Sequence, residues 1–211
     1  MLGLGVDNKV IIFTSTVPGE GKTFVALNTA ISLSLINKKV LLIGGDLRKP
    51  RLSEYTKVKF TSGLSNYLSG FETDIDSLIL PTDLSNNLYI LPSGSIPPNP
   101  AELLSRQTLD NAMDHLRSKF DYIVIDSAPV SLVTDTLILN RVSDATVYVV
   151  RANYSNKHNL QFANELKLNN KLKNMILVIN DIKDFRSGYG YGYGYGYGYG
   201  DQAKKTKKRR K

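Results

Sequence analysis

Fourteen consecutive residues, Val10–Thr23, read Val-Ile-Ile-Phe-Thr-Ser-Thr-Val-Pro-Gly-Glu-Gly-Lys-Thr. The first four are apolar and mostly β-branched, which predicts a buried strand over Val10–Phe13. A glycine-containing loop follows and leads into a helix that begins at Lys22. In this context the backbone N–H groups from Gly19 to Thr23 can point at phosphate oxygens, helped by the helix N-terminus. The segment predicts a P-loop, in which Lys22 reaches the β- and γ-phosphates and the Thr23 hydroxyl ligates Mg²⁺.

The loop departs from the usual P-loop at one position, because Thr16 stands where the first glycine is usual. That glycine contributes least to the chemistry of the loop, so we expect the loop to bind phosphate without it. The alternative interpretation is an ordinary glycine-containing turn after a strand. The candidate nucleotide-binding residues of this segment are Pro18, Gly19, Glu20, Gly21, Lys22, Thr23 and Phe24.

Two aspartates that follow other apolar runs are candidate metal ligands. Asp46 comes shortly after Val40–Ile43, and Asp126 comes directly after Tyr122–Ile125, as in a Walker B segment. Because the carboxyl ends of parallel strands open onto one crevice, both carboxylates are expected to lie beside the P-loop. An aspartate that merely ends a strand is the alternative interpretation of each. Together with the P-loop, the pattern predicts a Mg²⁺ site.

Short apolar runs recur along the chain and alternate with stretches of helical spacing. Continuous apolar runs indicate strands that are buried on both faces, as in a parallel sheet. Lys22–Leu35 and residues 101–118 have helical spacing, and strands that alternate with helices predict βαβ units. The predicted fold is an α/β P-loop NTPase with a mostly parallel sheet and helices on both faces. The predicted strands are Val10–Phe13, Val40–Ile43, Leu88–Leu91, Tyr122–Ile125, Ala145–Val150 and Met175–Ile179.

The net charge of the chain is concentrated at its C-terminal end. The 211 residues carry a formal net charge of +8, and seven of the eight residues in Lys204–Lys211 are basic. Without those seven, 20 of the 27 basic residues remain against 19 acidic residues, so the rest of the chain is nearly neutral. Because no recognition motif accompanies the basic end, we expect no specific nucleic-acid partner.

Composition excludes several other classes of protein. An apolar and aromatic share of 42% is typical of a folded domain rather than a disordered chain. The absence of cysteine excludes disulfide scaffolds, thiolate metal sites and cysteine nucleophiles. No apolar run reaches the ~18–20 residues that span a bilayer, and the N-terminus lacks the features of a signal peptide. We therefore expect a soluble, cytoplasmic chain.

Residues 188–200 alternate glycine and tyrosine without a break. Glycine at every second position loses much conformational entropy on ordering and packs nothing, so a flexible tail is predicted. The predicted division is a P-loop domain over residues 1–186 and a Gly-Tyr tail with a basic end over residues 187–211. The tyrosines are either phosphoacceptors or parts of a self-associating low-complexity segment. They are Tyr189, Tyr191, Tyr193, Tyr195, Tyr197 and Tyr199.

Together these motifs resemble the cytoplasmic catalytic domain of bacterial tyrosine kinases, which regulate capsule and exopolysaccharide synthesis. The resemblance covers nearly the whole chain and includes the C-terminal tyrosine cluster. Related partitioning ATPases lack such a cluster and carry a signature lysine where Val17 stands here. The segments that carry the resemblance are Pro18–Thr23, Asp46–Pro50, Pro97–Leu104, Asp126–Pro129 and Val149–Arg151.

The resemblance implies autophosphorylation of the tail tyrosines with MgATP, largely between neighbouring subunits of a homo-oligomer. By family position, Lys22, Asp46 and Asp126 would be catalytic, and Thr23 would organise Mg²⁺ with the two aspartates. Asn180, just after the last predicted strand, would contact the adenine, although an ordinary strand-end turn residue is the alternative. The implied partners are a cognate tyrosine phosphatase and a membrane-spanning polysaccharide co-polymerase portion that precedes this fragment at the inner face of the plasma membrane.

Two departures from the family pattern limit what it implies. Gly44 stands where the family has the first of two aspartates separated by one residue. Asp46 or Asp126 would then have to serve in its place. Since losing a general base costs typically ~10²–10⁴-fold, either a slow kinase or one rescued by water positioning is expected, and Gly44→Asp should raise the rate. The family's oligomerisation helix upstream of the P-loop is also missing, as in a fragment of a longer kinase. A P-loop ATPase that drives assembly and a nucleotide-binding scaffold are the alternative functions.

Overall fold

The computed structural model describes residues 8–183, and the predicted tail lies outside them. The strands are β1 (Val10–Ser15), β2 (Val40–Gly44), β3 (Leu80–Pro81), β4 (Leu88–Leu91), β5 (Tyr122–Asp126), β6 (Ala145–Arg151) and β7 (Met175–Asn180). The helices are α1 (Lys22–Leu35), α2 (Leu52–Thr56), α3 (Leu64–Ser69), α4 (Pro100–Ser105), α5 (Gln107–Lys119), α6 (Asp135–Leu139) and α7 (Lys157–Leu168). Short 3₁₀ helices cover Asp76–Leu78 and Asn140–Val142.

The strands form one seven-stranded sheet in the order β3-β4-β2-β5-β1-β6-β7. Every neighbouring pair is parallel except β3 with β4, which is antiparallel. The registers bring the carboxyl ends of three central strands together, because Asp126 is level with Phe13 of β1 and with Gly44 of β2. The predicted mostly parallel α/β fold is therefore confirmed.

Helices cover both faces of the sheet, as the continuous apolar runs predicted. Successive residues of a strand point to opposite faces. Val10 and Ile12 of β1 belong to a core with α3, α4, α5 and α6. Ile11 and Phe13 belong to the core of the opposite face, with α1 and α2. This packing holds the P-loop segment between two cores, because β1 is buried along its whole length.

The last strand is an exception to burial on both faces. All six predicted apolar runs form strands, but the side chains of Leu177 and Ile179 in β7 are 47% and 53% exposed. The strand is the outermost of the sheet, and the buried residues of α7 pack with Tyr148 and Val150 of β6. The prediction of two buried faces is wrong for β7, because an edge strand can be apolar without being covered.

The helix predicted over residues 101–118 is two helices, α4 and α5. Arg106 separates them with an extended backbone conformation, φ −68° and ψ 147°. Its guanidinium donates to the carbonyl of Leu68, and its own carbonyl accepts from Arg141. The break between α4 and α5 thus lies at a residue that contacts distant parts of the chain, and the helical spacing of the sequence did not reveal it.

The predictions for the C-terminal segment concern residues that the structure does not describe. The division near residue 186 and the flexible tail lie outside the described residues and stay predictions. Within the described range, no helix is long and apolar enough to cross a membrane.

Candidate active site

The loop between β1 and α1 takes a conformation that requires glycine at two positions. Gly19 and Gly21 have φ values of 88° and 95°, which side chains disfavour. A Cβ atom on Gly21 would also lie 2.0 Å from the Nδ2 atom of Asn180. Thr16 has no positive φ and is only 4% exposed. The missing first glycine is therefore compatible with this loop.

Thr16 is packed against a buried tyrosine instead of facing the cavity. Its Oγ1 atom lies 2.8 Å from the hydroxyl of Tyr148 in β6. Burial raises the pKa of Tyr148 to about 12, so this hydroxyl stays neutral and available for the hydrogen bond. The contact ties the start of the loop to the neighbouring strand.

Glu20 supports the loop from within rather than lining the cavity. The side chain is fully buried, and its Oε2 atom accepts a hydrogen bond of 2.8 Å from the backbone N–H of Val17. The other carboxylate oxygen accepts from the hydroxyl of Ser155. The Glu20 carboxylate thus holds the turn closed, and the predicted nucleotide contact through the backbone N–H of this residue stays a prediction.

The connection from β6 to α7 braces the outside of the loop. The guanidinium of Arg151 donates to the carbonyl of Gly19 at 3.1 Å, and the hydroxyl of Tyr154 donates to the carbonyl of Pro18 at 2.9 Å. Arg151 also pairs with Asp181 at 3.1 Å and lies over the Tyr154 ring. These contacts hold two carbonyl groups of the loop, whose N–H groups are the predicted contacts for an anion.

The ammonium group of Lys22 lies between the two predicted metal carboxylates. Its Nζ atom is 3.3 Å from Asp126 Oδ1 and 3.6 Å from Asp46 Oδ2. The Thr23 hydroxyl completes the cluster, 3.3 Å from Nζ and 3.1 Å from the same Asp126 oxygen. The structure therefore brings together all four residues that the sequence predicted to act on phosphate and metal.

The two carboxylates have different surroundings. Burial raises the pKa of Asp126 above its usual value of 3.8, against the opposing effects of Lys22 and the Thr23 hydroxyl. Asp46 lines the cavity, and its Oδ1 atom accepts hydrogen bonds from the backbone N–H groups of Arg48 and Lys49, at 3.2 Å and 3.0 Å. Asp126 is thus the inner carboxylate and Asp46 the one that a bound molecule would meet.

A cavity of about 960 Å³ opens beside this cluster at the carboxyl ends of the strands. Among the predicted residues, those that line it are Pro18, Gly19, Gly21, Lys22, Thr23, Phe24, Asp46 and Asn180. The amide of Asn180 donates to the carbonyl of Glu20 at 3.1 Å, so this side chain supports the loop as well as lining the cavity. Its predicted contact with adenine stays a prediction.

The oxygen atoms around Lys22 suit a hard divalent cation. Two carboxylates and a hydroxyl surround one positive charge, and Mg²⁺ prefers oxygen ligands of this kind. Within residues 8–183 no group of three or more His, Cys, Asp or Glu side chains could hold a metal. Mg²⁺ is commonly bound through one or two carboxylates together with water and substrate phosphates. The side chains present therefore fit Mg²⁺ that arrives with a nucleotide.

Comparison with known proteins shows the family. A family model described as an AAA domain matches residues 8–179. The chain is 37% identical over 158 residues to the tyrosine-protein kinase CpsD of Streptococcus pneumoniae, which is 74% of this chain and 69% of that protein. The chain belongs to the bacterial tyrosine-kinase family.

Solved structures agree with this kinase-family assignment. The kinase domain of the Escherichia coli tyrosine kinase ETK superposes with a TM-score of 0.79 at 26% identity, over 90% of this chain and 74% of that one. The septum site-determining protein MinD of Pyrococcus horikoshii, complexed with Mg-ADP, has a TM-score of 0.67 at 23% identity, over 82% of this chain and 70% of that one. At that identity the second likeness shows the fold alone.

The kinase-family chain has further cavity residues to which the sequence assigned no role. Arg48 and Lys49 follow Asp46 directly, and Arg151 ends β6; all three lie in segments that carried the family resemblance. Their position in those segments was the available signal. Nothing in the sequence pointed to Arg51, Tyr55 or Asp181, because their place at the cavity depends on how distant segments fold together. The cavity lining includes Arg48, Lys49, Arg51, Tyr55, Leu132, Val133, Arg151 and Asp181.

Gly44, where the family pattern has an aspartate, is packed closely against another strand end. A Cβ atom at this position would lie 2.8 Å from the backbone nitrogen of Ser93 and 3.4 Å from its Cβ atom. Any side chain at Gly44 therefore requires the Ser93 segment to move. The substitution Gly44→Asp, which is expected to raise the rate, would therefore also strain the packing against Ser93. The sequence did not reveal this cost.

We predict that Gly44→Ala destabilises the kinase-family chain. The added methyl group has no space beside the Ser93 backbone, and overpacking of this kind costs typically ~1–3 kcal/mol. The free energy of unfolding, measured by urea denaturation, should fall by about that amount. An unchanged midpoint would show that the Ser93 segment yields freely and that Gly44 is not required for packing.

We also predict that the Asp126 carboxyl group makes the free energy of unfolding fall as the pH rises. Because its pKa is raised in the folded chain, the folded state keeps a proton that the unfolded state releases once the pH exceeds 3.8. The stability of the parent chain should therefore fall, relative to Asp126→Asn, as the pH rises from 3.8 through the raised pKa. Urea denaturation of both chains across this range measures the difference. Parallel stability curves would contradict the assignment.

Proposed function

We propose that this chain is an ATP-dependent protein-tyrosine autokinase that phosphorylates its own C-terminal tyrosine cluster. The observation that carries the proposal is the cluster of Lys22, Thr23, Asp46 and Asp126 beside a cavity of about 960 Å³. Membership of the bacterial tyrosine-kinase family supports tyrosine as the acceptor. The six tail tyrosines between Tyr189 and Tyr199 supply the acceptor hydroxyls.

The loop and its lysine would bind the phosphates of ATP. The N–H groups of the glycine-containing loop and the start of α1 favour negative charge, and Lys22 adds a full positive charge. On binding, the ammonium would exchange part of its contact with Asp46 and Asp126 for phosphate oxygens. The Thr23 hydroxyl and the two carboxylates would then hold Mg²⁺. The metal supplies charge neutralisation on the transferring phosphoryl group.

The phosphoryl transfer joins a tyrosine oxygen to the γ-phosphorus and breaks its bond to the oxygen that bridges the β- and γ-phosphates. ADP leaves with that bridging oxygen, and the phenol gives up its proton. We assign the proton to Asp46, because this carboxylate lines the cavity while Asp126 lies behind Lys22 and Thr23. Gly44 can take no proton, so the first carboxylate of the usual family pair is not available for this step.

The spacing of the acceptors suits transfer between subunits. Closely spaced tyrosines present one site with several interchangeable hydroxyls at high effective concentration. We propose that one subunit phosphorylates the tail of its neighbour in a homo-oligomer. Each phosphate adds about −1.5 to −2 charge at neutral pH, which would offset the basic residues of Lys204–Lys211.

We place this kinase in the regulation of capsular and exopolysaccharide synthesis and export. The family resemblance supports this role, with a membrane-spanning polysaccharide co-polymerase portion as partner at the inner face of the plasma membrane. A cognate tyrosine phosphatase would reverse the modification. A specific nucleic-acid partner forms no part of the proposal.

The first test compares the parent chain with Lys22→Met after incubation with MgATP. Mass spectrometry should find phosphotyrosine on the Gly-Tyr peptide of the parent and about 10²–10³-fold less on Lys22→Met, as for the loss of one electrostatic contact to a transition state. Lys38→Met is the matched control, because Lys38 is exposed and follows α1 away from the cavity. ATP hydrolysis without phosphotyrosine would favour the alternative of an ATPase. Nucleotide binding with neither hydrolysis nor phosphotyrosine would favour a nucleotide-binding scaffold that Gly44 has left inactive.

A mixing experiment tests transfer between subunits. One chain carries Lys22→Met and an intact tail, and the other has an intact site with all six tail tyrosines changed to phenylalanine. We expect the mixture to gain phosphotyrosine on the first chain, at a rate that rises with the concentration of the second. No phosphotyrosine in the mixture, with full activity of the unmixed parent, would contradict transfer in trans.

A further inference from the structure

An ion pair between an arginine and a buried aspartate lies next to the cluster that surrounds Lys22, and no function has been assigned to it. The Nε and Nη2 atoms of Arg48 donate to the two carboxylate oxygens of Asp135, at 2.8 Å and 3.0 Å. The Asp135 side chain is fully buried, whereas that of Arg48 is 40% exposed and lines the cavity. The hydrogen bond to Asp135 raises the pKa of Arg48 above its usual value. The Arg48 guanidinium therefore stays charged while it is paired.

The arginine end of this pair is joined to Asp46. The turn that follows β2 places the backbone N–H groups of Arg48 and Lys49 on Asp46 Oδ1, at 3.2 Å and 3.0 Å. The other oxygen of Asp46 faces Lys22 at 3.6 Å. Fixing the Arg48 side chain therefore fixes the turn whose N–H groups hold the Asp46 carboxylate.

The aspartate end of the pair is anchored to the centre of the sheet. Thr136, the residue after Asp135, donates its hydroxyl hydrogen bond to the carbonyl of Ala128 at 2.6 Å and lies 3.0 Å from the Ser127 hydroxyl. Ser127 in turn donates to the carbonyl of Phe13 in β1 at 2.8 Å. The start of α6, which carries the buried Asp135 carboxylate, is thus held against β1 and the residues that follow β5. Through Arg48, the turn after β2 is connected to the same carboxylate.

We infer that Asp135 is a positioning residue, which acts through Arg48 to hold the Asp46 carboxylate at the site of metal and phosphate. The inference rests on the proposed nucleotide site and adds a residue outside its cavity lining. A bidentate arginine–carboxylate pair fixes orientation as well as distance. Partners that orient a metal ligand typically change metal affinity by 10–100-fold when they are removed.

A second ion pair of the same geometry provides a matched control. Arg117 Nη1 and Nη2 donate to the two oxygens of Asp144, both at 2.8 Å. Asp144 is 15% exposed and precedes β6, where its carboxylate accepts from the N–H of Val10 at the start of β1. This pair lies at the amino ends of the strands, opposite the cavity. It should contribute to stability without affecting Asp46.

The test measures Mn²⁺ binding in the presence of ADP, using the full chain. Asp135→Asn removes the charge but leaves one oxygen acceptor, so no unpaired carboxylate is buried. We expect it to weaken Mn²⁺ binding by about 10–100-fold, with ADP binding in EDTA unchanged. Asp144→Asn should leave Mn²⁺ binding at the parent value even if it lowers the melting temperature. Electron paramagnetic resonance of free Mn²⁺ reports the affinity without requiring kinase activity.

Four results would overturn the inference. Unchanged Mn²⁺ affinity in Asp135→Asn, or equal losses in both aspartate variants, would reduce the pair to a structural role. Arg48→Lys keeps a cation against Asp135 but cannot form the bidentate hydrogen bonds of arginine. If Asp135→Asn does not fold, an unchanged Mn²⁺ affinity in Arg48→Lys would also overturn the inference. A parent chain that binds no Mn²⁺ with ADP would instead refute the proposed nucleotide site, and the inference with it.

Discussion

The Lys22 ammonium between two buried carboxylates is the interaction on which the rest of the site depends. Two carboxylates this close are costly to bury without a cation, and Lys22 supplies one at 3.3 Å and 3.6 Å. The arrangement exists only because β1, β2 and β5 are parallel neighbours with level carboxyl ends. The fold thus places one positive and two negative groups where a nucleotide phosphate and its metal would also need them.

The sequence was sufficient for features whose cause is local. Apolar runs predicted the strands because most of the strands bury their own side chains. The spacing of Gly19, Gly21 and Lys22 predicted the loop because it is a short motif between a strand and a helix. Asp46 and Asp126 could be placed together because parallel strands share one functional edge. Their proximity through Lys22 is the strongest agreement between sequence and structure.

Other features depend on residues that are far apart and could not be predicted. Arg48 and Asp135 are separated by 87 positions, and the Tyr154 hydroxyl reaches the Pro18 carbonyl across 136. No periodicity encodes such contacts. The burial of the Glu20 carboxylate depends in the same way on Ser155, which is 135 positions away. Gly44 looked like the simple loss of a carboxylate, yet Ser93 fills the space that a side chain would need.

The central claim is that Lys22, Thr23, Asp46 and Asp126 form one site for nucleotide phosphate and metal. A crystal structure of the chain with ADP and Mn²⁺, with an anomalous difference map recorded near the manganese edge, tests it most directly. The account predicts a manganese peak beside the Thr23 hydroxyl and the two carboxylates, with the Lys22 ammonium in contact with a phosphate oxygen. Nucleotide bound elsewhere, or a manganese peak away from these side chains, would contradict it.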